Sequence, residues 1–150
     1  MNKFYNTLVS LKVGDRIVVP KSHLDLIQHH AIFLGYENGH YWFIENKEGI
    51  GVRVVNAATF FFDVLKITRI IPFVPKVGYT RNDLVKYALS KVGRKYDLTR
   101  YNCEHLASEI QHKVVRSKQA DTGLFIAAAT TVLLIVGALV SISNNNLKSS

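Results

Sequence analysis

The stretch "TRYNCEHLASEI" (Thr99–Ile110) decides how this chain is read, because it holds the only cysteine among 150 residues. Asn102 is a favoured N-cap, whose side-chain oxygen can accept from the first free N–H groups of a helix. A helix starting there carries Cys103, Leu106, Ala107, Ile110 and Val114 on one face. Cys103 then falls in the first turn. There the unpaired N–H groups and the positive helix end favour thiolate, drawing a reference pKa of about 8.5 into the reactive range. The same N–H groups can hold the oxyanion of a tetrahedral intermediate. Glu104 suits a helix start too, although its charge offsets part of the effect on the sulfur. The competing reading is an inert, buried thiol on an apolar stripe.

A nucleophilic thiol needs a base, and the chain offers His23, His29, His30, His40, His105 and His112. His105 lies two residues after Cys103, and positions i and i+2 do not share a helix face. His23 falls in a loop and His112 in a basic flank. His29 and His30 open a strand, "HHAIFLG", so their side chains point to opposite faces and one can meet the core helix. The run "AIFL" has no polar alternation and implies a strand covered on both sides; it does not say which histidine faces the helix.

The rest of the body reads as strands followed by helices. "VGDRIVVP" (Val13–Pro20) is turn chemistry and a β-branched run. "HHAIFLG" and "HYWFIEN" flank Asn38-Gly39, a strong hairpin signal. "GVRVV" and "VLKITRII" continue the β character around the apolar "NAATFFFD". "TRNDLVKYALSKVG" is a helix capped by Thr80, with Asp83 at its third position and Gly93 past its end. Its apolar stripe is Leu84, Val85, Ala88, Leu89 and Val92. The expected fold class is α+β, an antiparallel sheet packed against helices.

Composition narrows the partners. Hydrophobic residues make up 48% and charged residues 20%, unlike a disordered chain. One cysteine allows no internal disulfide, no Cys/His spacing suggests a zinc site, and a free thiol fits a reducing compartment such as the cytosol. The first residues lack a secretory signal. The net charge of +8 lies before residue 119, since Asp121 and Lys148 cancel in the remainder. From Gly123 to Ile142, "GLFIAAATTVLLIVGALVSI" supplies about 20 apolar residues, enough for a membrane-spanning helix. The flank "HKVVRSK" (His112–Lys118) is basic, so the body is expected to face the cytosol. The expected organisation is a domain over 1–118 and a C-terminal membrane anchor over 119–150. Basic residues are scattered without a binding motif, so nucleic acid is not an expected partner.

Taken together, "NCEHLASEI", the upstream "QHHAIFLG", the opening "LKVGDRIVVP", the lead-in "ALSKVGRKYDLTRYNCEH" and the passage "VVRSKQADTGLFIAAAT" resemble the lecithin:retinol acyltransferase-like family. The likeness is to its phospholipase A and acyltransferase branch, a permuted NlpC/P60 relative of papain-like folds. The resemblance implies Cys103 as nucleophile and His29 as general base and acid, with His30 where the family often has an aromatic residue. Relatives commonly orient the base with a second histidine at the end of the next strand. Here "YWFIEN" offers Glu45, whose even separation from His29 puts both on one face if the strands are regular and the hairpin pairs them directly. A carboxylate can accept the ring N–H and stabilise imidazolium. His40, nearer the hairpin and of opposite parity to Glu45, is the second choice. The implied activity is transfer of an acyl chain from a glycerophospholipid in a membrane onto Cys103, then to water or to an amine or alcohol, with no metal or organic cofactor. A papain-like peptidase or amidase and a non-enzymatic tail-anchored interaction protein are the rival classes.

Overall fold

A computed structural model of the chain describes residues 3–21, 27–118, 120 and 122. The chain divides into two compact units, Met1–Ser117 and Lys118–Ser150. The expected span over residues 123–142 lies outside the described residues, as does His23. Among the described residues no helix is long and apolar enough to cross a membrane.

The first unit is α+β. Helix α1 (Tyr5–Ser10) precedes strands β1 (Arg16–Pro20), β2 (Gln28–Glu37), β3 (His40–Lys47) and β4 (Gly51–Asn56). A short helix α2 (Ala57–Phe60), strand β5 (Arg69–Ile71), and helices α3 (Arg81–Leu89) and α4 (Cys103–His112) follow. The five strands form one antiparallel sheet in the order β4-β3-β2-β1-β5. Asn38 and Gly39 join β2 to β3 with φ of 52° and 81°, the positive values a two-residue type I′ turn needs.

Both faces of the sheet are covered, which explains the unbroken apolar run in β2. Ala31 and Phe33, with Ile17, Val19, Phe43 and Val55, pack under Leu8 of α1 and the rings of Phe60 and Phe61. Ile32, with Ile44 and Val52, packs under α3 and α4 through Leu84, Ala88, Leu106, Ala107 and Ile110. Strands covered on both sides have no solvent face to alternate towards.

Three of the expected elements differ in extent or burial. Only Arg69–Ile71 of "VLKITRII" is strand, because its partner β1 is five residues long and matches it over Arg16–Val18 alone. Val64 and Ile67 instead pack against the α1/α2 cluster. Helix α3 has a full Thr80/Asp83 capping box, but it buries only Leu84 and Ala88, and Leu89 and Val92 are about half exposed. Helix α4 stops at His112 because Lys113 turns left-handed (φ 60°), so Val114 lies beyond the stripe.

The loop leading to α4 is docked on the edge of β4. Val52 N–H donates to the Arg94 carbonyl and Gly93 N–H to the Val52 carbonyl, both at 2.9 Å. Gly51 makes this approach possible: at φ +95°, a Cβ there would stand 2.5 Å from the Arg94 oxygen. Gly49 has a similar φ (+77°) and no atom within 4 Å of such a Cβ. G49A should therefore cost about 1 kcal/mol, for the left-handed backbone alone. G51A should cost about 2 kcal/mol more, because it also displaces the loop. Urea unfolding of the two variants checks the difference; equal losses would contradict the docking role.

Candidate active site

The site forms where β2 and β3 part. The β2–β3 ladder ends at the pair Ala31–Glu45, while Gln28, His29 and His30 pair with β1 alone. The start of α4 enters this parting. Asn46 of β3 donates from Nδ2 to the Tyr101 carbonyl at 2.6 Å, and the Cys103 thiol donates to the Gln28 carbonyl at 3.7 Å. The helix lies on one face of the sheet, yet its first side chain reaches a histidine belonging to the other.

Local chemistry fixes that first turn. Asp97 Oδ1 accepts from the N–H groups of Thr99 and Arg100, closing a turn before the helix. Asn102 Oδ1 accepts from Glu104 N–H (2.9 Å) and His105 N–H (3.1 Å), and its backbone N–H donates to His105 Nδ1 (3.1 Å). His105 therefore completes a capping box. Because the Asn102 oxygen takes two of the first N–H groups and its carbonyl takes that of Leu106, the Cys103 N–H is the one the cap leaves for an oxyanion. The expectation that several N–H groups of the first turn are free needs this correction.

Cys103 is buried (6% exposed) but lines a cleft. The His29 imidazole and the Cys103 sulfur act on one another's titration, and His29 Nε2–H donates to Glu45 Oε2 at 2.6 Å, so that Nδ1 is the ring nitrogen the carboxylate does not use. Arg53 donates to the other oxygen, Glu45 Oε1, through Nε at 2.8 Å and pairs with it through Nη2 at 2.7 Å. The His29 ring rests on Phe60, with centroids 5.8 Å apart. Burial alone would push this imidazole down. The bonds and charges of Cys103 and Glu45 outweigh burial and raise it to about 9. Burial would push the Cys103 thiol up, but His29, the His30 backbone N–H and the charge of Lys21 outweigh it, and the thiol titrates below its ordinary range. Glu45 follows the same logic: burial is outweighed by His29 and Arg53, and its pKa is lowered. Each group of the pair thus favours the charged form of the other.

Glu45 and His29 share a sheet face, but not by the expected route. A two-residue hairpin with regular strands would pair Glu45 with Ile32 and turn it towards the face of His30. The ladder shifts between Phe33 and Gly35, so that Ala31 pairs with Glu45 instead. This bulge at Leu34 adds one residue to β2 and brings the carboxylate round to His29. Gly35, at φ +140°, occupies backbone space that other residues avoid.

The remaining histidines are elsewhere. His30 faces α4, where Arg16 Nε donates to its Nδ1 at 2.7 Å; burial and the Arg16 charge lower it to about 3, so it stays neutral. His40 is exposed at the hairpin end, beside Trp42. His112 is exposed at the end of α4. Among the described residues no group of three His, Cys, Asp or Glu is placed to hold a metal ion. Arg53 was not singled out from the sequence. Its signal was available: the tight β3–β4 turn places residues 45 and 53 opposite each other.

The cleft measures about 1130 Å³, and its walls include Val19, Ile27, Phe60, Phe62 and Leu98 beside Lys21. Phe62, Leu98 and Ile27 keep 83%, 64% and 52% of their surface in solvent. Its chemistry is thus a thiol beside an imidazole in a cleft whose walls mix these apolar groups with polar ones, Gln28, Glu48, Thr59 and Asp63 among them. No family model matches the chain, and no curated protein matches it.

E45Q removes the charge that helps to hold the proton on His29. The ring should then titrate lower, moving from about 9 towards its ordinary 6.5. Nitrogen NMR of the imidazole against pH reads this directly, and an unchanged midpoint would deny Glu45 its orienting role.

Proposed function

We propose that the protein is a thiol acyltransferase and hydrolase of glycerophospholipid, a member of the lecithin:retinol acyltransferase-like family with a permuted NlpC/P60 papain-like domain. The observation that carries this reading is the meeting of Cys103, His29 and Glu45 in one cleft, with His29 hydrogen-bonded to the Glu45 carboxylate. A thiolate–imidazolium pair oriented by a carboxylate is an engine for acyl transfer.

The thiolate of Cys103 attacks the ester carbonyl of a lipid acyl chain, forming a C–S bond. The carbonyl oxygen becomes an oxyanion, held by the Cys103 N–H. As the tetrahedral species collapses, the ester C–O bond breaks and the leaving glycerol oxygen takes the proton from His29. A lysophospholipid departs and an acyl-thioester remains. His29, now neutral, accepts a proton from water or from an amine or alcohol, which attacks the thioester and releases the fatty acid or the transferred acyl product. Glu45 holds the ring orientation through both halves. The thiol and histidine suffice, and no cofactor is invoked.

The apolar walls at Phe60, Phe62 and Leu98 suit an acyl chain, and the apolar run over residues 123–142 suits a membrane anchor with the body in the cytosol. Such an anchor keeps the site beside a substrate dissolved in the bilayer. The same features favour a lipid over the peptide of a related peptidase, and the intact triad favours an enzyme over an inactive interaction protein.

The test is acyl release from diacylphosphatidylcholine vesicles with mass spectrometry of protein and products. Wild type should carry an acyl-thioester on Cys103, and C103S should lose at least about a thousandfold in kcat. H29A should fall by about two to four orders of magnitude. Undiminished release by C103S, or peptide cleavage with no lipid product, would overturn the proposal.

A further inference from the structure

Behind the sulfur, on the α3/α4 side of the sheet, lies a second polar cluster that the proposed chemistry leaves unused. It comprises Arg16, His30, Asn102, Glu104 and Ser117, all buried. The Ser117 hydroxyl donates to Glu104 Oε2 at 2.9 Å and accepts from Asn102 Nδ2 at 3.1 Å. Glu104 Oε1 faces Arg16 Nη2 at 3.7 Å, and Arg16 in turn donates to His30. The second Asn102 Nδ2 bond goes to the Leu98 carbonyl at 3.0 Å.

The amide of Asn102 is thus held from behind so that its oxygen points forward onto the N–H groups of Glu104 and His105. That same cap sets the direction in which Cys103, the next residue, leaves the helix. Ser117 closes the compact unit Met1–Ser117, since the second unit begins at Lys118. The point where the chain leaves the candidate catalytic unit is fastened to the cap of the helix bearing the nucleophile. A serine used only for packing needs no such pair of bonds: a buried hydroxyl costs stability unless it is satisfied, and alanine fills nearly the same space.

We propose that Ser117 is a positioning residue for Cys103: its hydroxyl orients the Asn102 amide and, with the Glu104–Arg16 pair, holds the first turn of α4 in the parting between β2 and β3. The inference rests on the thiol–imidazole reading of the site and deepens it. Removing the hydroxyl takes away the acceptor of one Asn102 Nδ2 bond and the donor to Glu104 Oε2. The cap then loosens, and the sulfur drifts from the His29 ring and from the His30 N–H.

The experiment uses the full chain. The rate of Cys103 alkylation by iodoacetamide is measured against pH without substrate, and kcat and KM are measured on diacylphosphatidylcholine vesicles, at a temperature where circular dichroism shows each variant folded. S117A should raise the thiol midpoint by about one pH unit and cut kcat about tenfold with little change in KM, the scale of a lost helix cap. S117T, which keeps the hydroxyl, should restore both. A low wild-type midpoint that S117A leaves unmoved overturns this inference alone. S117T behaving like S117A marks a packing role and also overturns it. A wild-type thiol titrating in its ordinary range overturns the site reading and this inference together.

Discussion

The structure turns on one imidazole set between a carboxylate and a sulfur. His29 donates its Nε2–H to Glu45, and Cys103 and Glu45 together raise its titration against burial. Burial opposes the charged forms of Glu45, His29 and Cys103 in this row, and each is favoured by a neighbour that outweighs it: His29 and Arg53 for Glu45, Cys103 and Glu45 for His29, His29 for Cys103. Removing one partner exposes the others to the cost of burial. Such a row lasts only if the backbone holds its members in register.

The fold supplies that register with two departures from regularity. One extra residue in β2, at Leu34, shifts the pairing of the residues before it so that His29 comes to the face of Glu45. Past Ala31 the ladder with β3 ends, and the vacated edge of β2 receives the first turn of α4. Helix and histidine belong to opposite layers of the sheet and meet only at this opening. Asn46, the Asp97 turn and the Asn102 cap hold the helix there, while the docked Gly93–Arg94 loop sets the approach. The cleft on the histidine side joins aromatic and aliphatic groups, Phe60, Phe62 and Leu98, to the polar side chains around His29 and Glu45.

Much of this was legible in the residues. The Asn38-Gly39 turn, the Thr80/Asp83 box and the Asn102 cap are local chemistry, and each appears where its side chains dictate. The opposite facing of His29 and His30 follows from strand geometry. Which of the two shares the cleft with the thiol did not, since both lie on covered faces; the family resemblance selected His29, and His29 is the one that lines the cleft with Cys103. Glu45 was named for a parity that regular strands would not have delivered, because a bulge leaves no clear trace in a run such as "AIFLGY". Helices α1 and α2, of six and four residues, escaped notice because elements so short owe their existence to packing. The tie between Ser117 and Asn102 spans 15 residues and has no periodicity to betray it.

The most direct measurement of the central claim is the ultraviolet absorbance of the thiolate as a function of pH, taken as wild type minus C103S and repeated for H29A. The ion pair predicts thiolate absorbance already present at neutral pH in the wild type and absent there in H29A, where it returns only in the alkaline range of an ordinary cysteine. A wild-type signal that first rises near pH 8.5, about where an isolated thiol ionises, with no difference on removing the ring, would contradict it.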